Sequence, residues 1–174
     1  MIIQFCGLSG SGKTTLAFNV KRLLQQRNIN VEIIDGDEYR KELCADLKFS
    51  KEDRNQNIRR LAFVASKLSQ YKIVAIICAI NPYEDIRREI SSKYKDVRTV
   101  FIDCDLDVLI QRDTKGLYKK ALLPEGHPEK IHNLTGINDP FDIPAMPDLI
   151  ISSHKESIDE STEKLVQFIL SDFQ

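Results

Sequence analysis

The chain has 174 residues, 42% of them apolar and 29% charged, a size and balance that give one globular domain over 1–174 with a sizeable buried core. With 25 basic against 26 acidic residues the formal net charge is −1, so there is no electrostatic ground for nucleic acid or an anionic membrane as partner. Any bound anion must be held by local Arg and Lys.

The first predicted element is a strand over Ile2–Cys6, and Met1 opens that strand rather than a signal peptide. The run Gly7-Leu8-Ser9-Gly10-Ser11-Gly12-Lys13-Thr14 follows at once and satisfies G-x-x-x-x-G-K-[ST], with a helical pattern over Thr14–Gln26 behind it. Glycines let the backbone turn tightly so that N–H groups converge on phosphate, and the helix start adds its positive dipole end. The nucleoside triphosphate cradle therefore comprises Gly7 to Thr15, with Lys13 reaching the β- and γ-phosphates and the Thr14 hydroxyl on Mg²⁺.

A second strand, Val31–Ile34, runs into Asp35-Gly36-Asp37-Glu38-Tyr39-Arg40. Asp35, Asp37 and Arg40 then fall at the carboxyl edge beside the P-loop, where a carboxylate can take a hydroxyl proton and an arginine can neutralise a phosphate. Asp-Gly also reads as a plain turn. Ser50 is an N-cap with Asp53 three residues on, starting a helix over Lys51–Tyr71 with an apolar stripe at Ile58, Leu61, Ala62, Ala65 and Leu68. Arg54 extends that stripe toward the helix start, which aims it into a cleft, and Asn57 lies one turn further.

Next come a strand over Ile73–Ala79, a helix over Tyr83–Tyr94 and a strand over Thr99–Asp103. Residues 112–147 mix Lys, Gly, Pro and His without strand periodicity, which suits a lid or, more plainly, a surface excursion. A strand over Leu149–Ser152 and a helix over Glu156–Asp172 complete the chain. Strands alternating with helices give a doubly wound α/β fold, a five-stranded parallel sheet flanked by helices, its ligands beyond the carboxyl ends of the strands. Cys6, Cys44, Cys78 and Cys104 are widely spaced with no Cys-x-x-Cys pair. Buried reduced thiols and a cytoplasmic setting follow, not a metal centre. No apolar run reaches the length of a membrane span.

In order, "GLSGSGKTT", "DGDEYR", "LKFSKEDRNQNIRR", "NPY" at 81–83, "RDTKGLYKKA" at 112–121 and "LTGINDPFDIP" at 134–144 resemble the adenylylsulfate (APS) kinases over nearly the whole chain. The P-loop alone is shared by many families, whereas the ordered set is far more specific. The resemblance implies a P-loop kinase fold with a lid at about 112–147, and transfer of the γ-phosphoryl of ATP to the 3′-hydroxyl of adenylyl sulfate, giving PAPS in sulfate activation. It implies Asp37 as base with Asp35 supporting Mg²⁺ or the loop, and Arg40, Arg54 and Asn57 on the acceptor's phosphosulfate and ribose. It further implies Phe49 stacked on the acceptor adenine, Lys115 brought by the lid, Arg112 over the ATP adenine, and Ile80, Pro82 and Tyr83 shaping the acceptor pocket.

Three positions depart from the family pattern. Asn81 stands where Ser is usual, so no phosphoserine is expected; Leu134 replaces the usual Phe of the adenine clamp; and "LLPEGHPEKIHN" lengthens the lid. The alternatives are a kinase of the same fold acting on another nucleotide-linked or sugar hydroxyl, and a slow P-loop switch, which would not need the acceptor cluster. ATP and APS are the expected partners, without nucleic acid or membrane, and a homodimer is left open.

Overall fold

A computed structural model describes residues 1–171. Strand β1 (Ile2–Cys6) lies at the centre of a parallel sheet of order β2-β3-β1-β4-β5, with β2 Val31–Asp35, β3 Val74–Cys78, β4 Val97–Asp103 and β5 Leu149–Ser152. All of β1 and β3 is buried, because helices cover both faces; that is why β3 is an unbroken apolar run and β1 is apolar but for Gln4. Successive side chains point to opposite faces. Ile3, Phe5, Ile76 and Val100 meet α1 (Lys13–Gln25) and α7 (Ile158–Ser171), whereas Ile2, Ile34 and Ile77 meet α3 (Lys51–Gln70) and α4 (Glu84–Lys93). Gln4, fully buried in β1, is satisfied by donating to Arg87 O, Ser91 Oγ and Thr99 Oγ1 and accepting from Asn81 Nδ2.

The long elements match the sequence reading to within two residues at each end, and the differences have local causes. Asp35-Gly36 is a helix start rather than a plain turn: the Asp35 carboxylate accepts from the Asp37 and Glu38 amides and caps α2 (Gly36–Glu42). Ser50 caps α3 as expected, its Oγ accepting from the Asp53 amide. Helix α7 begins at Ile158 and not at Glu156, because Ser157 and Glu160 form a reciprocal capping box. Its predicted last residue, Asp172, lies outside the described residues. The stretch expected to be irregular holds the end of α5 (Leu106–Arg112) and all of α6 (Leu117–Ala121). Helices so short carry too few turns to show a period.

Leu109, Tyr118, Ala121 and Leu134 form a small third cluster with Leu8 of the P-loop, so this segment is packed onto the sheet edge. All four cysteines are buried and free. No helix among the described residues is long and apolar enough to cross a membrane.

Candidate active site

The P-loop turns tightly after β1, and Gly7 is there for space: a Cβ on it would stand 2.5 Å from Ile102 O. Gly12, at φ 93°, turns the chain into α1. Lys13 is buried, and its Nζ donates to Gly7 O (2.8 Å), Leu8 O (2.7 Å) and Ser11 Oγ (3.3 Å). Burial pushes its ammonium down from 10.5 to about 8, with neighbouring Lys115 adding to the fall and Cys78 opposing it.

That depressed value has a measurable consequence. A triphosphate beside Lys13 favours the charged form, so the nucleotide complex keeps a proton that the free protein loses above about pH 8. Nucleotide affinity should therefore be flat below that pH and weaken above it, by up to about ten-fold per pH unit. Titration calorimetry at about pH 9, in buffers of differing ionisation heat, should show proton uptake on binding. Binding without proton uptake at that pH would contradict the placement of Lys13 against the nucleotide.

Thr14 Oγ1 donates to Asp35 Oδ2 at 3.1 Å, so a hydroxyl and a carboxylate meet at the mouth of the P-loop. Such a pair fits Mg²⁺, which takes few protein oxygens and completes its octahedron with water and phosphate. Together with Lys13 and Thr14, the residues Asp35, Asp37, Phe49, Arg54, Ile80, Lys115 and Leu134 line a single cleft of about 720 Å³. The exposed Asp37 carboxylate receives a hydrogen bond from Lys115 Nζ at 2.5 Å. Lys115 sits between α5 and α6, so the 112–147 segment reaches across the cleft to Asp37.

Arg54 is buried at the start of α3, its Nε donating to Phe49 O at 3.0 Å and its Nη2 to Asn133 O at 2.6 Å, with Asp139 at 3.2 Å. Arg40 donates to Lys48 O at 2.8 Å, and burial followed by the neighbouring Arg54 charge lowers its pKa. The Phe49 ring is half exposed, with the Arg40 and Arg54 guanidiniums 4.8 and 5.5 Å from its centroid. A ring left open to solvent between two cations is not packed as a helix staple. Arg40 and Asn57 stand outside the lining; Asn57 is buried one turn from Arg54, and its Oδ1 has no hydrogen-bond partner among the described residues.

Of the three residues expected to shape the acceptor pocket, Ile80 lines this cleft and Pro82 and Tyr83 are not part of its lining. Tyr83 is buried against α3 and α4, and its hydroxyl reaches the Asp139 carboxylate at 3.4 Å.

Arg112 lies on the other side of the P-loop. It lines a cleft of about 290 Å³ with Gly12, Thr15, Ser153 and Glu156, and its Nη1 contacts Cys104 Sγ at 3.8 Å. Gly12 and Thr15 line both clefts, so the P-loop separates two chambers.

The adenylylsulphate kinase family model matches residues 1–152. The chain belongs to that family. It is 43% identical to the adenylyl-sulfate kinase of Chloroflexus aurantiacus, over 95% of this chain and 87% of that protein. It is 41% identical to the adenylyl-sulfate kinase of Halothermothrix orenii, over 96% and 88%. Among solved structures, the Mycobacterium tuberculosis APS kinase CysC, in complex with AMPPNP and APS, superposes with a TM-score of 0.88 at 37% identity, covering 97% of this chain and 96% of that one.

Within this APS-kinase fold two residues stand out that motif reading left without a role. Tyr118, inside "RDTKGLYKKA", is buried and donates its hydroxyl to Ser9 O of the P-loop at 2.8 Å. Asp139, inside "LTGINDPFDIP", ties Arg54 to Tyr83. Both lay in stretches quoted for the resemblance, but their partners are distant in sequence and leave no local signal.

Proposed function

We propose that this chain transfers the γ-phosphoryl group of ATP to the 3′-hydroxyl of adenylyl sulfate, releasing ADP and PAPS. One observation carries the reading: the P-loop lysine and a cluster of Asp37, Arg54, Phe49 and Lys115 line the same cleft. A switch protein has no use for that acceptor-side cluster.

In this reading ATP lies along the P-loop, its adenine beside Arg112 and its terminal phosphates at Lys13. Thr14 and Asp35 would hold Mg²⁺, which supplies charge neutralisation on the phosphates. Asp37 accepts the proton of the attacking 3′-hydroxyl. Lys115, paired with Asp37, would turn from that carboxylate to the incoming phosphoryl oxygens. Arg40, Arg54 and Asn57 hold the phosphosulfate and ribose, and Ile80 closes the wall. Most of the rate enhancement then comes from positioning and charge neutralisation, as in phosphoryl transfer generally. Four buried, reduced thiols suit a cytoplasmic enzyme.

Phe49 and Leu134 line this cleft and make the adenine clamp in this reading, with one aromatic and one aliphatic side. Stacking a base on an aromatic ring is worth about 1–3 kcal/mol. Phe49→Ala should therefore raise the Michaelis constant for APS by about five-fold or more, with little change in melting point, since the ring is half exposed. Leu134→Phe should lower it by supplying the second ring face. An unchanged Michaelis constant with a lowered melting point would make Phe49 structural and move the acceptor elsewhere. A panel of nucleotide-linked and sugar acceptors, read by mass spectrometry, separates APS from any other hydroxyl.

A further inference from the structure

The lid segment is bolted to the P-loop by one buried hydrogen bond. Tyr118 is the second residue of α6, two after Gly116, which caps the helix at φ 66°. Its amide donates to Asp113 Oδ1 at 3.0 Å, and the Lys119 amide to Asp113 Oδ2 at 2.9 Å, so the Asp113 carboxylate fixes the start of the helix. The Tyr118 ring is fully packed against Leu109, Ala121 and Leu134, and its hydroxyl reaches back to Ser9 O at 2.8 Å. The side chain lines neither substrate cleft.

The bond partner matters because a peptide unit is planar and trans, with its C=O and N–H pointing in opposite directions. Ser9 C=O and Gly10 N–H belong to one such unit. Gly10, at φ 76°, has no side chain to restrain it, and a Cβ there would meet only Leu109 at 3.7 Å and Thr114 at 3.8 Å. Without an anchor this peptide could flip, as glycine peptides do readily. With Ser9 O held at Tyr118, Gly10 N–H faces away from the Tyr118 ring, and Ser9 and Gly10 both line the cleft that holds Lys13.

We propose that Tyr118 is a positioning residue for phosphoryl transfer: its hydroxyl locks the Ser9–Gly10 peptide with the Gly10 amide presented to an ATP phosphate oxygen. This rests on the ATP-cradle reading of the P-loop and extends it to a residue that contacts no substrate. Burial pushes the phenol up to about 12, so it remains a donor throughout the working range. The same bond joins the two substrate sides, because Lys115, three residues earlier, pairs with Asp37. The P-loop and the acceptor lysine are thus held by one short segment.

The test is Tyr118→Phe, which removes one oxygen and keeps the ring. Affinity for a non-hydrolysable ATP analogue, measured by calorimetry without any acceptor, should fall by about five-fold or more. Turnover should fall with it, while the Michaelis constant for APS at saturating ATP stays near the parent value. Amide exchange over residues 9–11 should quicken. Leu109→Ala is the control, since it loosens the same cluster and keeps the Tyr118 hydroxyl.

Parent-like nucleotide affinity and turnover in Tyr118→Phe would overturn the proposal. An equal loss of affinity in Leu109→Ala would do so too, because packing alone would then explain it. Should the parent make no PAPS, the acceptor assignment fails, yet the nucleotide measurement still decides the role of Tyr118.

Discussion

Lys13→Ala should bring phosphoryl transfer down by roughly 10²–10³-fold or more, the range seen when one preorganised charge-stabilising donor is removed. The protein should remain folded. Lys13 is a buried cation whose pKa is driven down by the loss of water around it, so its charge costs folding energy that alanine does not incur. Against that, the substitution leaves Gly7 O and Leu8 O without the Nζ donor, and water entering the cleft can replace it. Kinetics measured beside thermal melting separate the two contributions. Near-parent turnover would remove the nucleotide assignment, since no other lysine of the P-loop could take its place.

Asp37→Asn should lower turnover by roughly 10²–10⁴-fold, the contribution of a positioned general base, and leave ATP affinity almost unchanged. The substitution keeps the shape and removes the proton acceptor. Asp37 is exposed, and its pairing with Lys115 is a surface contact, of the kind that adds little to stability. A collapse in melting point is therefore not expected. If turnover survives, Asp37 is a binding group or merely holds Lys115, and the proton leaves by another route.

How far the sequence alone could reach depended on the range of each interaction. The P-loop is local, with strand, glycines, lysine and helix in one short run, and its geometry followed the motif. The Ser50 cap and the Arg54 position were equally local. Asp35-Gly36 was ambiguous because a turn and an N-capped helix start share the same residues; only the amides of Asp37 and Glu38 closing on the Asp35 carboxylate decide it. Lys115 was placed by resemblance, while its pairing with Asp37 across the cleft depends on how the lid folds back. The local run Asn81-Pro82-Tyr83 does not say which way the Tyr83 ring turns; the ring packs into the core beside α3 and α4, a contact made by residues distant in sequence. The roles of Tyr118 and Asp139 leave no local signal: the Tyr118 hydroxyl bonds a backbone carbonyl far away in sequence, and Asp139 pairs with the distant Arg54 and Tyr83.

The most direct test of the central claim is to incubate the protein with ATP, Mg²⁺ and APS and to follow PAPS and ADP together by mass spectrometry. PAPS should appear in step with ADP, one for one, and its formation should require APS. ADP formed at the same rate without APS, or phosphate transferred to another acceptor while APS is left untouched, would contradict it.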